Sequence, residues 1–468
     1  MGMIRYISLP KLYLLILFCF NCREKIVTKT FNAMAPLHVM HYLDPKIEDD
    51  NDWRLFRRQL VECHRMGIDA ITVDVWWGSV EKDGNNIFDW EYYHKIFTEI
   101  ISQDLDIIPI LSFHSFDPGP ESAFRAPVPD WVWSYLAHES GLKIIDLKYV
   151  SEDLGENENP LFSNEFVSLW VDDWVMPQYI EFMEEFLNEF QNYLHNFQEI
   201  NISCGPTGEL RYPSYNSHDG GKYPNRGRMQ CYSDPAIQDY VDWLKKVNEG
   251  DGVTINSPSL VLPNDFKLAI KNEDYFNNNI KTLFQWYNLS LMNHGNRMLN
   301  ACLKIFPKSI PIGFKIPGIH WLIADPKMPR ISEMTCGLID GSKLDGELAY
   351  YNSLAIVLKD LPLERIILHF TCLELDNAGP NLDSIKHYSR AKDLVYDVSS
   401  AAAKLGVNIK GENALSKSLK NQAAWLRIRS ALLNGDYSGI TILRMNDVTF
   451  GNSLGNKEYG KIINEFDK

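Results

Sequence analysis

The run Ile68-Asp-Ala-Ile-Thr-Val-Asp-Val-Trp-Trp77 decides the fold. It is an apolar, β-branched stretch of strand length, and it ends on a carboxylate and two indoles instead of on a turn. Reading outward, runs of the same kind recur along the chain, most of them followed by a polar loop and a stretch with apolar residues at three- to four-residue spacing. The strands expected on this basis are 37–43, 68–77, 107–114, 199–205, 311–319, 365–373, 406–411 and 438–444, with helices over 53–66, 91–103, 176–196, 276–305 and 391–405. Such alternation specifies a parallel sheet, closed or open.

The polar residues at the strand ends choose between the two. Asp74, His114, Glu209, Lys315, Glu374, Glu412 and Arg444 all fall at or just past the C-terminal end of an expected strand. A closed barrel gathers every such end at one mouth, whereas a doubly wound sheet collects only a few at its switch point. No G-x-G-x-x-G follows the first strand and no P-loop occurs, so nucleotide chemistry is unsupported. The expectation is a single (β/α)8 barrel over 35–468, in the α/β class, with long loops after strands 3, 4 and 5 that deepen the same mouth.

Bulk composition narrows the ligand. A formal charge of -15 disfavours nucleic acid and anionic membrane surfaces as partners. Aromatic residues at 12% leave Trp and Tyr for a binding surface after the core is filled. Arg5 and Lys11 precede the apolar run 12–20, which is too short to span a bilayer and suits a signal-peptide core, so 1–30 is read as a leader and the protein as secreted. Beyond Cys19 and Cys22 in that leader, six cysteines are scattered without metal-type spacing and read as buried thiols.

Glycosidic cleavage requires one carboxylic acid to protonate the leaving oxygen and a second carboxylate on the other face of the sugar. Glu209, in Gly-Glu-Leu-Arg-Tyr just past Pro206 and Gly208, is the first candidate, with Glu412 and Glu374 ranking together as its partner. Asp74 beside Trp76 and Trp77 suits a ligand with hydroxyls at its edge and C–H groups on its face, although both indoles read equally well as barrel core. His114, Lys315 and Arg444 read as hydroxyl-binding or charge-balancing groups at the same mouth.

Six segments, AITVDVWWGSVEK, GPTGELRYPSY, KIPGIHW, FTCLEL, GENALS and ILRMNDV, occur in this order between about Ala35 and Leu454. Together they resemble the signature segments of β-amylases, glycoside hydrolase family 14, and are closer to the bacterial form. The resemblance implies removal of maltose from the non-reducing ends of α-1,4-glucans with inversion, by a monomer that needs no cofactor. It implies Glu209 as general acid and Glu412 as general base. It further implies that Asp74, His114, Lys315, His320, Thr371, Glu374, Asn413, Ala414, Leu415 and Arg444 contact glucose. Bacterial members can bind calcium after the VDVWWG segment. Here Glu81, Asn85, Asn86 and Glu181 offer fewer charged oxygens, and no bound metal is expected.

One stretch departs from the family. Where its members carry a mobile loop H-Q-C-G-G-N-V-G-D that closes on an aspartate used in catalysis, this chain reads His114-Ser-Phe-Asp-Pro-Gly-Pro-Glu-Ser122. Asp117 and Glu121 are the carboxylates available to replace the missing one, and Pro118 and Pro120 stiffen the loop. The departure leaves room for a glucan-binding regulator with weak or no turnover.

Overall fold

The computed structural model describes residues 29–39, 51–119, 122–215, 227–250, 278–322, 329–342, 346–378 and 389–466. Eight parallel strands close a barrel: β1 (Thr30–Met34), β2 (Ala70–Trp76), β3 (Asp106–Ser112), β4 (Ile200–Ile202), β5 (Ile312–Ile316), β6 (Ile366–Phe370), β7 (Asn408–Glu412) and β8 (Tyr437–Ile442). Each pairs with its neighbours in sequence, and β1 closes the ring on β8 through Thr30 opposite Gly439.

The first strand corrects the sequence reading. It was expected at 37–43, but Leu37 to Val39 lie past the strand in irregular backbone, and 40–43 lie outside the described residues. The strand is Thr30–Met34, so the barrel begins ahead of residue 35 and inside the last residue of the expected leader, whose remainder, 1–28, is likewise outside the described residues. Asn32 hid it, because a polar residue interrupts the apolar run. In the barrel that amide is buried and donates to Gln198 Oε1 at 3.2 Å, so the interruption is tolerated.

The outer ring includes α1 (Asn51–Met66), α2 (Glu91–Ile101), α3 (Asp130–Ser140), α4 (Asp172–Glu189), α5 (Asp234–Gly250), α6 (Asn278–Ile305), α7 (Gly346–Val357), α8 (Ala391–Leu405), α9 (Gln422–Asn434) and α10 (Leu454–Phe466). Both α3 and α8 end on a glycine in the left-handed region, Gly141 and Gly406, which satisfies the terminal carbonyls without a Cβ penalty. Trp77, Phe113, Tyr179 and Phe182 pack edge to face where the ring meets the barrel, which places Trp77 in the core. The six described cysteines are buried and unpaired.

Paired residues on parallel strands face the same way. The pairings Asp74 with Ile110, Ile110 with Asn201, Asn201 with Gly313, Lys315 with His369 and Glu412 with Thr441 therefore define which side chains fill the barrel. That interior is unusually polar. A Cβ on Gly313 would fall 1.6 Å from Asn201 Oδ1, so its absence is what lets the Asn201 amide lie over the neighbouring strand β5.

Candidate active site

At the C-terminal mouth of the strands lies a cavity of about 320 Å³, lined among others by Asp74, Trp76, His114, Glu209, Lys315, His369, Thr371, Glu412 and Arg444. Seven of the expected site residues therefore meet in one place. Trp76 and Trp77, equivalent in sequence, part company here: Trp76 borders the cavity and Trp77 faces the helices.

Glu209 arrives by a sharp turn. Pro206–Gly208 forms a kinked turn after β4, and Gly205 ahead of it lets the chain fold back, since a Cβ would lie 2.6 Å from Glu209 O and 2.8 Å from Arg211 O. Thr207 sits at φ 58°, a region β-branched residues avoid, and such strain concentrates at functional sites. Its hydroxyl lies 3.0 Å from Glu209 Oε2 and 2.6 Å from Pro206 O. One hydroxyl proton serves only one of these. Burial pushes the Glu209 carboxyl above the usual carboxylate range, with the charge of Glu412 adding a little, against Arg211, Lys315 and the hydrogen bond from Thr207, which pull the other way.

Glu412 is held differently. It ends β7 with its side chain buried, and Lys315 Nζ stands 2.7 Å from Oε2. Burial works against the Lys315 ammonium, yet Glu412, Glu209 and Asp74 together push its pKa up, so it stays charged between the two glutamates. Below them His369 Nε2 lies 2.7 Å from Glu199 Oε1 and its Nδ1 3.7 Å from Glu412 Oε1. Lys410 Nζ contacts Glu199 Oε2 at 2.7 Å. Burial opposes the charge on Glu199, but Lys410 and His369 outweigh it and draw its pKa down to about 2.

Asp74 is met by Arg444 Nη1 at 3.5 Å and by Ser112 Oγ at 3.4 Å. Burial, reinforced by Lys315, pushes His114 down to about 4, leaving a neutral ring that contacts Ser203 Oγ at 3.0 Å. Thr371 Oγ1 accepts from the Gly318 amide at 2.9 Å.

The other expected residues do not line this cavity. Glu374 accepts from the amides of Ala414 at 3.0 Å and Leu415 at 2.7 Å, so its carboxyl clamps the loop that follows Glu412. Burial still pushes its pKa up. Asn413 exchanges hydrogen bonds with the backbone of Leu443, Nδ2 to O at 3.0 Å and N to Oδ1 at 2.8 Å, tying β7 to the strand end that presents Arg444. The Leu415 side chain is exposed to solvent. His320 pairs with Ser389 Oγ at 2.7 Å, and burial lowers it to about 4.

Among the cavity residues missed in the sequence are Asn201, Thr207, His369 and Phe116. For Asn201 and His369 the available signal was period two: each lies two residues from an inward group, Ser203 and Thr371. In the substituted loop, Asp117 is committed to Arg125 through contacts of 2.5 and 2.7 Å, and Ser122 Oγ donates to Phe124 O at 2.8 Å. Glu121 lies outside the described residues. The Glu81 carboxylate is taken up by Trp77 Nε1 at 2.6 Å and the Asn86 amide at 2.8 Å, and burial raises its pKa to about 7.

One carboxyl held toward its protonated form and another paired with an ammonium, both at the mouth of a closed parallel barrel, are what splitting a glycosidic bond demands, and they place this protein among the barrel glycoside hydrolases. The sequence profile of glycosyl hydrolase family 14 matches residues 38–465, all but the first strand of the barrel, and the chain belongs to that family. It is 31% identical over 434 residues to a thermophilic beta-amylase of Thermoanaerobacterium thermosulfurigenes, covering 90% of this chain and 72% of that one. Identity to a beta-amylase of Bacillus cereus is 30% over 437 residues, 91% of this chain and 72% of the relative. The catalytic domain of beta-amylase from Paenibacillus polymyxa superposes with a TM-score of 0.77 at 30% identity, covering 94% of this chain and 98% of that domain.

Proposed function

We propose that this protein hydrolyses α-1,4-glucosidic bonds of starch-like glucans from their non-reducing ends with inversion, releasing β-maltose. Glu209 acts as the general acid and Glu412 as the general base. The observation that carries the assignment is the asymmetry of the two carboxyls: burial favours the proton on Glu209, whereas Lys315 salt-bridges Glu412. Glu209 donates its proton to the glycosidic oxygen as the bond to the anomeric carbon breaks. Glu412 takes a proton from a water that attacks the same carbon from the opposite face, which requires the two carboxyls to stand roughly 6.5–9.5 Å apart. Asp74 with Arg444, neutral His114 and Thr371 supply hydroxyl contacts, and Trp76 an apolar wall. Purified protein with soluble starch, followed by proton NMR of the anomeric signals, should show β-maltose before mutarotation.

The loop after His114 favours a second reading, a glucan-binding regulator, because Asp117 and Ser122 are both occupied within the loop. Maltose binding without any release of sugar in the same tube would select it. We further propose that the protein is a secreted monomer. Any leader cleavage must then leave Thr30 in the mature chain, because β1 begins there; N-terminal sequencing of native protein reads the site directly.

A further inference from the structure

We propose that Phe116 is a sugar-stacking residue of this protein, an aromatic wall supplied to the cavity by a loop that carries Ser122 at the family's aspartate position. The inference rests on the glucan reading above. Among the described residues that follow His114 in the loop, only Ser115 and Phe116 border the cavity. Neither Asp117 nor Ser122 does, and their side chains are bound to Arg125 and Phe124 O. What this loop gives the substrate is therefore chiefly a ring.

That ring is fixed in advance. The Phe116 backbone exchanges hydrogen bonds with Ala126, 2.8 Å in each direction, and the Ser115 amide donates to Glu165 O at 2.7 Å. Phe124 stacks beside Phe116 with centroids 6.0 Å apart and planes at 21°, and Trp76 supports it at 5.9 Å. Phe124 is itself braced, stacked on His38 at 4.7 Å and packed at a tilt of 59° against Trp76 at 6.0 Å. The chain 114–126 thus holds two phenyl rings against the tryptophan that already borders the site. A pyranose offers a C–H face to such a ring and its hydroxyl edge to Asp74, Arg444 and His114, and an ordered ring binds without the entropy cost of closing a loop. Stacking reads the flat face and not individual hydroxyls, so this position recognises a glucosyl unit by shape.

The test is kinetics on maltotetraose for the wild type, F116A, F116L and F116Y, with maltose affinity measured calorimetrically for the same substitutions in an E209Q background. F116A and F116L should each raise KM and weaken maltose binding by about tenfold while kcat stays within about threefold. F116Y, which keeps the π face, should return both to within about twofold of wild type. F116L separates ring stacking from apolar volume: wild-type KM in that variant overturns the proposal. So does a fall in kcat with KM unmoved, which would mean a loop that merely collapses. A wild type that binds maltose and cuts nothing overturns the hydrolytic reading but still tests Phe116 through the affinities; one that neither cuts nor binds overturns both.

Discussion

Glu209 and Glu412 are the same side chain, and what separates them is a few ångströms of surroundings. Burial favours the proton on Glu209, and one lysine pairs the other carboxylate. Replacing Glu209 by Gln keeps the shape and removes the transferable proton, so starch turnover should fall by about 10²–10⁴ while calorimetry still detects maltose binding. A near-wild-type rate would remove Glu209 from the acid role. The pH profile carries a sign. An acid works only while protonated, so activity should decline as pH rises through the Glu209 pKa, on a limb lying above the ordinary Glu range of about 4.3. Arg211 pulls that pKa down, so Arg211→Met should move the alkaline limb of kcat to higher pH. A shift to lower pH, or none, would show that Arg211 does not act on the titrating group.

At the scale of elements, side chains that do not line the cavity hold the strand ends in place. Glu374 never reaches the cavity, yet its carboxyl fixes the two amides that follow Glu412 and Asn413. Glu374→Ala leaves both amides without that acceptor. We expect about a tenfold loss of kcat with KM little changed, and a stability loss of about 1–3 kcal/mol in urea unfolding. Gly313→Ala tests the barrel interior in the same way. Its Cβ would overlap Asn201 Oδ1, and relief must come from moving Asn201 or parting β4 from β5, at about 1–3 kcal/mol. An unchanged unfolding midpoint in G313A would show that the Asn201 amide is free to turn away.

For the whole molecule, closure of the barrel is the condition on which the site depends. Asp74 and Arg444 come from β2 and the end of β8, and β1 lies between those two strands. A chain starting at residue 35 retains every expected site residue but loses β1, leaving the edges of β2 and β8 unpaired. It should lack a cooperative thermal transition by circular dichroism, whereas a chain starting at Lys29 should keep one. Equal melting of the two would mean that β1 is dispensable. Much of the site was legible in sequence for the same topological reason: in a parallel barrel any polar residue ending an apolar run is carried to the mouth, as Asp74, His114 and Lys315 were. Asn32 in β1 was not legible, because its partner Gln198 is 166 positions away.

The sequence by itself determined the alternating architecture, the strand ends that meet at the mouth and the family, and through the family resemblance it nominated the pair of glutamates. Those properties follow from local patterns: strand-length apolar runs, the residues that end them and the order of the signature segments. Only the tertiary structure decided that Trp76 serves the cavity and Trp77 the core, that Glu374 grips backbone, and that Asp117 is spent on Arg125. It also decided that Phe116 is braced at the cavity edge. Each of these depends on which face a side chain takes once distant strands close, and that choice is made by partners the local sequence does not contain.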